Sequence, residues 1–190
     1  RRSSDLYRQK AENSYIKNLQ KKYPNYYIIP EGGTNDLAIM GCREILSEFD
    51  AEFDIICCAV GTGGTISGLI NSSLPTQKII GFPALKGAFL NEDIRKFATQ
   101  SNWELCNDYH FGGYAKVDSN LIHFINNFKK EFEIPLDPVY TGKMMFGIFD
   151  LIQKGVFSAS TKILAIHTGG LQGIEGMNRQ LKQKRMGLIV

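Results

Sequence analysis

Apolar and polar positions along the chain change period in a regular order, and that order predicts alternating helices and strands. Residues 14–23 (SYIKNLQKKY) carry helical spacing that ends at Pro24. Residues 26–29 (YYII) read as a short strand. Over 36–49 (DLAIMGCREILSEF), Leu37, Met40, Ile45, Leu46 and Phe49 fall near one stripe, which predicts a single helix. Residues 54–60 (DIICCAV) hold an unbroken apolar run, as in a strand covered on both faces in the middle of a parallel sheet. A helix follows the glycine turn after it, then a strand at 78–82 (KIIGF), a helix over 91–100 and an extended stretch at 103–107 (WELCN). Residues 119–132 are amphipathic, with Leu121, Ile122, Ile125, Phe128 and Phe132 at helical intervals. Another helix covers 142–155, a final buried strand 162–168 (KILAIHT), and a last helix follows the glycine pair. Strands alternating with helices predict an α/β fold in three layers: a mostly parallel twisted sheet with helices on both faces.

In such sheets ligands gather outside the carboxyl ends of the strands. Three glycine-rich loops fall there: PEGGTN (30–35), VGTGGT (60–65) and HTGG (167–170). One glycine loop is often only a tight turn; three at the same end of one sheet point to a ligand. Glycines let backbone approach a ligand closely, and a helix start offers free N–H groups to an anion. Thr62 and Thr65 add hydroxyls, so phosphate is the natural candidate. The dinucleotide fingerprint fails, because the sixth position from Gly61 is Ile66 and Pro83 follows the next strand. The P-loop fails too: Gly63 and Gly68 have its spacing, but Leu69 and Ile70 stand where Lys and Ser or Thr belong. What remains is a lone phosphomonoester of the kind a small cofactor carries.

Composition changes this picture little. The 190 residues, 43% of them hydrophobic, suffice for one full core. The 22 basic and 19 acidic residues leave a formal charge of +3, which gives no reason to expect nucleic acid or a membrane surface as partner. The basic stretch 179–185 (RQLKQKR) reads as a solvated helix face. The longest apolar run, 55–60, is far too short to span a bilayer, and no signal peptide is visible. Cys42, Cys57, Cys58 and Cys106 lack C-x-x-C spacing, and Cys57 and Cys58 point to opposite faces of their strand. They read as buried thiols in a reducing cytoplasm. His110, His123 and His167 lack metal spacing, so no metal site is expected.

At GTGGTISGL (61–69) the chain resembles the phosphate cup of pyridoxal-phosphate enzymes of the tryptophan-synthase-β type, also called fold type II. YIIPEGGTN (27–35), LDPVYTGKMMFGIFDLI (136–152) and HTGGLQGIEG (167–176) resemble the branch containing 1-aminocyclopropane-1-carboxylate deaminase and D-cysteine desulfhydrase. The likeness runs in register from about Tyr15 to about Met177. It implies pyridoxal 5'-phosphate as cofactor, a small amino acid as substrate and a homodimer. It also implies that the family's N-terminal part is absent, with the lysine that binds the cofactor covalently and a Ser-Asn pair that holds substrate carboxylate and cofactor ring. On that reading residues 1–25 are a connection from the absent part, starting at Arg1 and Arg2. Residues 26–190 are then the large cofactor-binding domain, incomplete. Lys143 is not the covalent lysine and serves structure at the start of its helix.

The resemblance assigns roles by position. Backbone N–H groups of Thr62, Gly63, Gly64 and Thr65 would hold the phosphate, with the Thr65 hydroxyl adding a bond. Tyr140 matches a tyrosine whose hydroxyl reaches the substrate, and Tyr114 matches a second on the facing loop; alone, either would read as a half-buried core residue. A phenol near a cationic cofactor group can act as base or nucleophile. Thr141 stands where the deaminase has a glutamate that pairs with the cofactor's pyridine nitrogen. Thr168, in the substrate pocket, stands where the deaminase has a leucine. Both departures resemble the D-cysteine desulfhydrase branch. The implied reaction is α,β-elimination from D-cysteine to pyruvate, ammonia and sulfide, with this chain alone inactive. The alternatives are ring opening of 1-aminocyclopropane-1-carboxylate to 2-oxobutanoate and ammonia, or a phosphate-binding interaction module without catalysis.

Overall fold

The computed structural model describes residues 12–87 and 89–190. Residues 1–11, which include Arg1, Arg2 and part of the expected connection 1–25, lie outside the described residues. Contacts divide the chain into one unit up to Glu31 and a second from Gly32 to Val190. In the first, helix α1 (Asn13–Lys22) occupies the stretch where helical spacing was read; it carries Lys21 and Lys22 in its last turn, near the negative end of the helix dipole. Tyr23 then meets Tyr26 edge to face, with ring centroids 6.1 Å apart. The strand expected at 26–29 does not form. Tyr26, Tyr27 and Ile29 are exposed, and no neighbouring strand supplies the ladder that would turn their β propensity into a strand.

The second unit opens with α2 (Asp36–Cys42), capped by the Asn35 side chain, which accepts from the Ala38 amide at 2.9 Å. The single helix expected over 36–49 stops there. A turn of 3₁₀-helix follows at Arg43–Ile45, Leu46 is extended, and Ser47 starts a new 3₁₀ segment at Glu48–Glu52. The Asp50 carboxylate accepts from the Ser47 amide and hydroxyl at 2.8 and 3.0 Å, a local alternative to continuing the helix. The break also dissolves the expected stripe: Ile39 is buried and Leu46 packs on the core, while Leu37, Met40 and Phe49 are exposed.

The sheet has four parallel strands: β1 (Ile55–Val60), β2 (Lys78–Pro83), β3 (Trp103–Leu105) and β4 (Ile163–Ile166), in the order β3-β2-β1-β4. Every residue of β1 is buried, which explains its unbroken apolar sequence. One face presents Ile56, Cys58 and Val60 to Ile66, Leu69 and Ile70 of α3 (Gly64–Ser72) and to Leu90 and Ile94 of α4 (Phe89–Arg95). The other presents Cys57 and Ala59 to Met144 and Ile148 of α6 (Thr141–Gln153). The two cysteines thus enter opposite cores, and all four cysteines are free. Outside α6, Leu121, Ile122, Ile125 and Phe128 of α5 (Ser119–Phe132) pack with Met177 and Leu181 of α7 (Gly173–Gln183).

β4 departs from expectation in one respect. It reads as a buried strand, but it stands at the edge of the described sheet, paired only with β1, and its four residues are half-buried. The apolar run records what the strand is made of, whereas its place depends on strand order. No helix among the described residues is long and apolar enough to cross a membrane.

Candidate cofactor site

At its C-terminal end β1 runs into Gly61, Thr62 and Gly63 before α3 begins. Gly63 is the N-cap of α3 with φ 93°, a left-handed conformation that side-chain-bearing residues rarely adopt. The chain therefore reverses abruptly, and the first amides of α3, at Gly64, Thr65 and Ile66, have no carbonyl one turn earlier to bond. The Ser67 hydroxyl donates to the Gly63 carbonyl at 2.7 Å and its amide to the same oxygen at 3.1 Å, closing the first turn.

The loop before α2 leans over this turn. A Cβ on Gly32 would collide with the Thr62 side chain, so only glycine allows this approach. The hydroxyls of Thr34 and Thr62 are 2.7 Å apart and hydrogen-bonded. The third loop, after β4, supplies Thr168, Gly169 and Gly170. Together the three loops enclose a cavity of about 320 Å³. Its lining includes Gly61 through Ile66, Gly32, Tyr140, Thr168 and Gln172, with no lysine, arginine or carboxylate among the described residues.

Thr62, Gly63, Gly64, Thr65, Tyr140 and Thr168 all line this cavity. The Tyr140 ring edge lies 3.3 Å from where a Cβ on Gly61 would stand. Tyr114 does not line it. Its exposed ring stands edge-on to Tyr140, with centroids 6.2 Å apart at 67°. Thr141 does not line it either. It is fully buried, and its hydroxyl donates to the Asp137 carboxylate at 2.7 Å.

Asp137 was not singled out from the sequence. It is 1% exposed and organises the start of α6. Its Oδ1 accepts from the amides of Val139 and Tyr140, both at 2.8 Å, and its Oδ2 accepts from the Thr141 amide at 2.8 Å as well as the hydroxyl. The carboxylate also lies under the third loop, with Oδ2 3.2 Å from a Cβ position on Gly170. The legible signal was an aspartate and a proline just ahead of a helical period, where side-chain carboxylates commonly take up orphan amides. Gln172, also missed, lay within the HTGGLQG segment.

Lys143, in the first turn of α6, is 1% exposed, and burial lowers its ammonium from 10.5 to about 8, with the Asp137 charge pulling the other way. Nζ donates to the carbonyls of His110 at 2.9 Å and Gly113 at 2.8 Å. It is turned away from the cavity, in keeping with the structural role expected of it. No group of three or more His, Cys, Asp or Glu that could hold a metal is found among the described residues.

The arrangement fits a phosphate monoester. The helix N-terminus provides amides and the positive end of a dipole, threonine hydroxyls add donors, and no carboxylate among the described lining residues repels an anion.

A family described as pyridoxal-phosphate dependent enzymes matches residues 4–169. A bifunctional D-cysteine desulfhydrase/1-aminocyclopropane-1-carboxylate deaminase, mitochondrial, of Arabidopsis thaliana is 32% identical over 188 residues, covering 85% of this chain and 46% of its own length. A D-cysteine desulfhydrase of Klebsiella pneumoniae is 30% identical over 167 residues, 76% of this chain and 50% of its own. A crystal structure of an ACC deaminase homologue superposes with a TM-score of 0.76 at 30% identity, covering 88% of this chain and 56% of that one. The chain spans about half the length of the curated relatives it matches. Matched in sequence over most of its length, and with three glycine-bearing loops around a cavity at the end of β1, the chain belongs to the family of pyridoxal-phosphate-dependent enzymes.

Proposed function

We propose that the protein is a pyridoxal-phosphate-dependent lyase acting on a small amino acid, and that its reaction is α,β-elimination from D-cysteine to pyruvate, ammonia and sulfide. The observation that carries this reading is the composition of the cavity: an amide cradle at α3, the Tyr140 ring beside it, Thr168 in the lining, and no carboxylate among the described lining residues. When bound, the cofactor supplies an electron sink for the carbanion formed at the amino acid's α-carbon.

The chain's own residues divide the remaining work. The amides of Gly63, Gly64 and Thr65, with Thr62, hold the phosphate; Thr34 fixes the Thr62 hydroxyl through their bond of 2.7 Å. The Tyr140 hydroxyl moves a proton at the reacting carbon or its leaving group, and Tyr114 stands behind it at the mouth. Thr168 lines the cavity and would face the substrate, while Thr141, standing where a glutamate would be, gives its hydroxyl to Asp137. A hydroxyl, unlike a glutamate, does not impose a proton on the pyridine nitrogen. That suits departure of a β-thiol, which needs a weaker sink than opening a carbon ring.

We assign residues 26–190 to the large cofactor-binding domain and residues 1–25 to a connection, and we expect a homodimer in the cytoplasm, where four free thiols persist. The full-length protein supplied with pyridoxal phosphate should release pyruvate and sulfide from D-cysteine and little 2-oxobutanoate from 1-aminocyclopropane-1-carboxylate. Dominant 2-oxobutanoate would assign it to ring opening. Cofactor phosphate binding without turnover of either would leave a non-catalytic binding module.

A further inference from the structure

We infer that Lys143 positions Tyr114 against Tyr140 at the mouth of the cavity, by gripping the loop that carries Tyr114. The inference rests on the functional reading of the two tyrosines given above, and it adds a residue that touches neither the cavity nor substrate.

The loop from His110 to Lys116 is built of two tight turns. The Gly113 amide donates to the His110 carbonyl at 3.0 Å, and the Lys116 amide donates to the Gly113 carbonyl at 3.1 Å. Those two carbonyls are the ones that Lys143 Nζ binds, at 2.9 and 2.8 Å. One ammonium therefore holds both pivots at once. The loop needs such a hold: Phe111 (φ 53°), Gly112 (φ 92°), Gly113 (φ 120°) and Ala115 (φ 54°) are all left-handed, and two of the four carry a side chain. Conformations of this kind persist only where their surroundings over-determine them.

Packing does not supply that restraint at Tyr114, whose residue is 56% exposed. The ring is placed by the backbone just before it. Tyr140 is the N-cap of α6 and Lys143 lies three residues later, so the two leave the same turn, Tyr140 toward the cavity and Lys143 toward the Tyr114 loop. Asp137 holds the Tyr140 amide from one side of the motif while Lys143 holds the Tyr114 loop from the other. A methionine would fill the same space without the penalty of burying an ammonium. What the lysine adds is two directed donors, and both are aimed at the loop.

The test uses the full-length protein with cofactor. Lys143→Met should speed amide hydrogen exchange at Gly113 and Lys116, whose amides close the two turns, and weaken the Tyr114–Tyr140 ring contact in fluorotyrosine spectra, while affinity for pyridoxal phosphate holds. Turnover on D-cysteine should fall about ten- to a hundredfold, the scale of a catalytic group displaced by an ångström or so. In a Tyr114→Phe background the same substitution should cost little more, because the two act through one group. Equal losses in both backgrounds, or unchanged exchange at Gly113 and Lys116, would overturn the inference. Lys143→Gln keeps one donor and should fall between parent and methionine variant. If neither variant folds, the unsubstituted protein decides: Gly113 and Lys116 amides that exchange as fast as an unstructured loop would refute the grip. Exchange and ring contact do not depend on the substrate. If they move as expected while the parent turns over neither amino acid, the functional reading fails and the positioning stands.

Discussion

Replacing Asp137 by alanine should be among the most damaging single substitutions in the chain. The carboxylate serves four donors: the amides of Val139, Tyr140 and Thr141 and the Thr141 hydroxyl. Alanine leaves all four without their acceptor. Val139 and Tyr140 are only half-buried, so water can take up part of their loss. Thr141 is fully buried, and water cannot reach it. Hydrogen bonds to a charged acceptor contribute about 1.5 to 3 kcal/mol each, so the two donors of Thr141 alone set a loss of about 3 to 6 kcal/mol. In a chain of this size that lowers the melting temperature by roughly 10 to 20 °C. Asparagine keeps Oδ1 for Val139 and Tyr140 but turns an amide NH₂ toward the Thr141 N–H, so it restores the half-buried pair and leaves most of the Thr141 loss in place. Urea unfolding followed by the single tryptophan, Trp103 on β3, measures both variants against the parent. An alanine variant within about 1 kcal/mol of the parent would show that the carboxylate does not organise the start of α6.

Two further outcomes follow from the site. Tyr140→Phe keeps the ring beside Gly61 and the cradle at α3, so cofactor affinity should hold while turnover falls roughly 10² to 10⁴-fold; near-parental turnover in steady-state kinetics would take the hydroxyl out of the chemistry. Lys143 titrates near 8 in the fold against 10.5 unfolded, so the unfolded chain binds more protons between these values and stability gains with pH there. The buried thiols act oppositely above their ordinary value of 9.0: burial raises Cys57 to about 12 and Cys58 further still, so the folded chain keeps protons that the unfolded one loses. The lysine effect is therefore read cleanly between pH 8 and 9, where urea midpoints should rise in the parent and stay flat in Lys143→Met.

The parts of this molecule that could be read from sequence are those where one local pattern has one physical solution. An apolar run without alternation can only be a strand covered on both faces, and β1 is that strand. Glycines in the loop after such a strand fix both the turn and the approach of neighbouring backbone, so the loops that meet over α3 were marked in advance. Reading failed where the outcome was set by something outside the pattern. Ser47 and Asp50 capture each other's polar groups and end a helical period that the apolar residues would have continued. Tyr26, Tyr27 and Ile29 have strand propensity but no strand beside them. The direction in which Thr141 points depends on a carboxylate four residues earlier, and no spacing rule distinguishes that from a hydroxyl facing a ligand.

The position of β4 has a practical consequence. Ile163, Leu164, Ala165 and Ile166 pair with β1 on one side, and on the other side no described strand takes up their amides and carbonyls. A short, apolar edge of this kind is a template for self-association, because any extended segment that docks there gains a ladder and hides aliphatic side chains in one step. Lys162, bonded to Glu52 and flanking the strand, is the nearest charge that discourages such growth. Wherever that edge is left without a cover, polypeptide handled at high concentration will tend to gather through it, and a lysine placed within 163–166 would be the first substitution to try for keeping the protein dispersed.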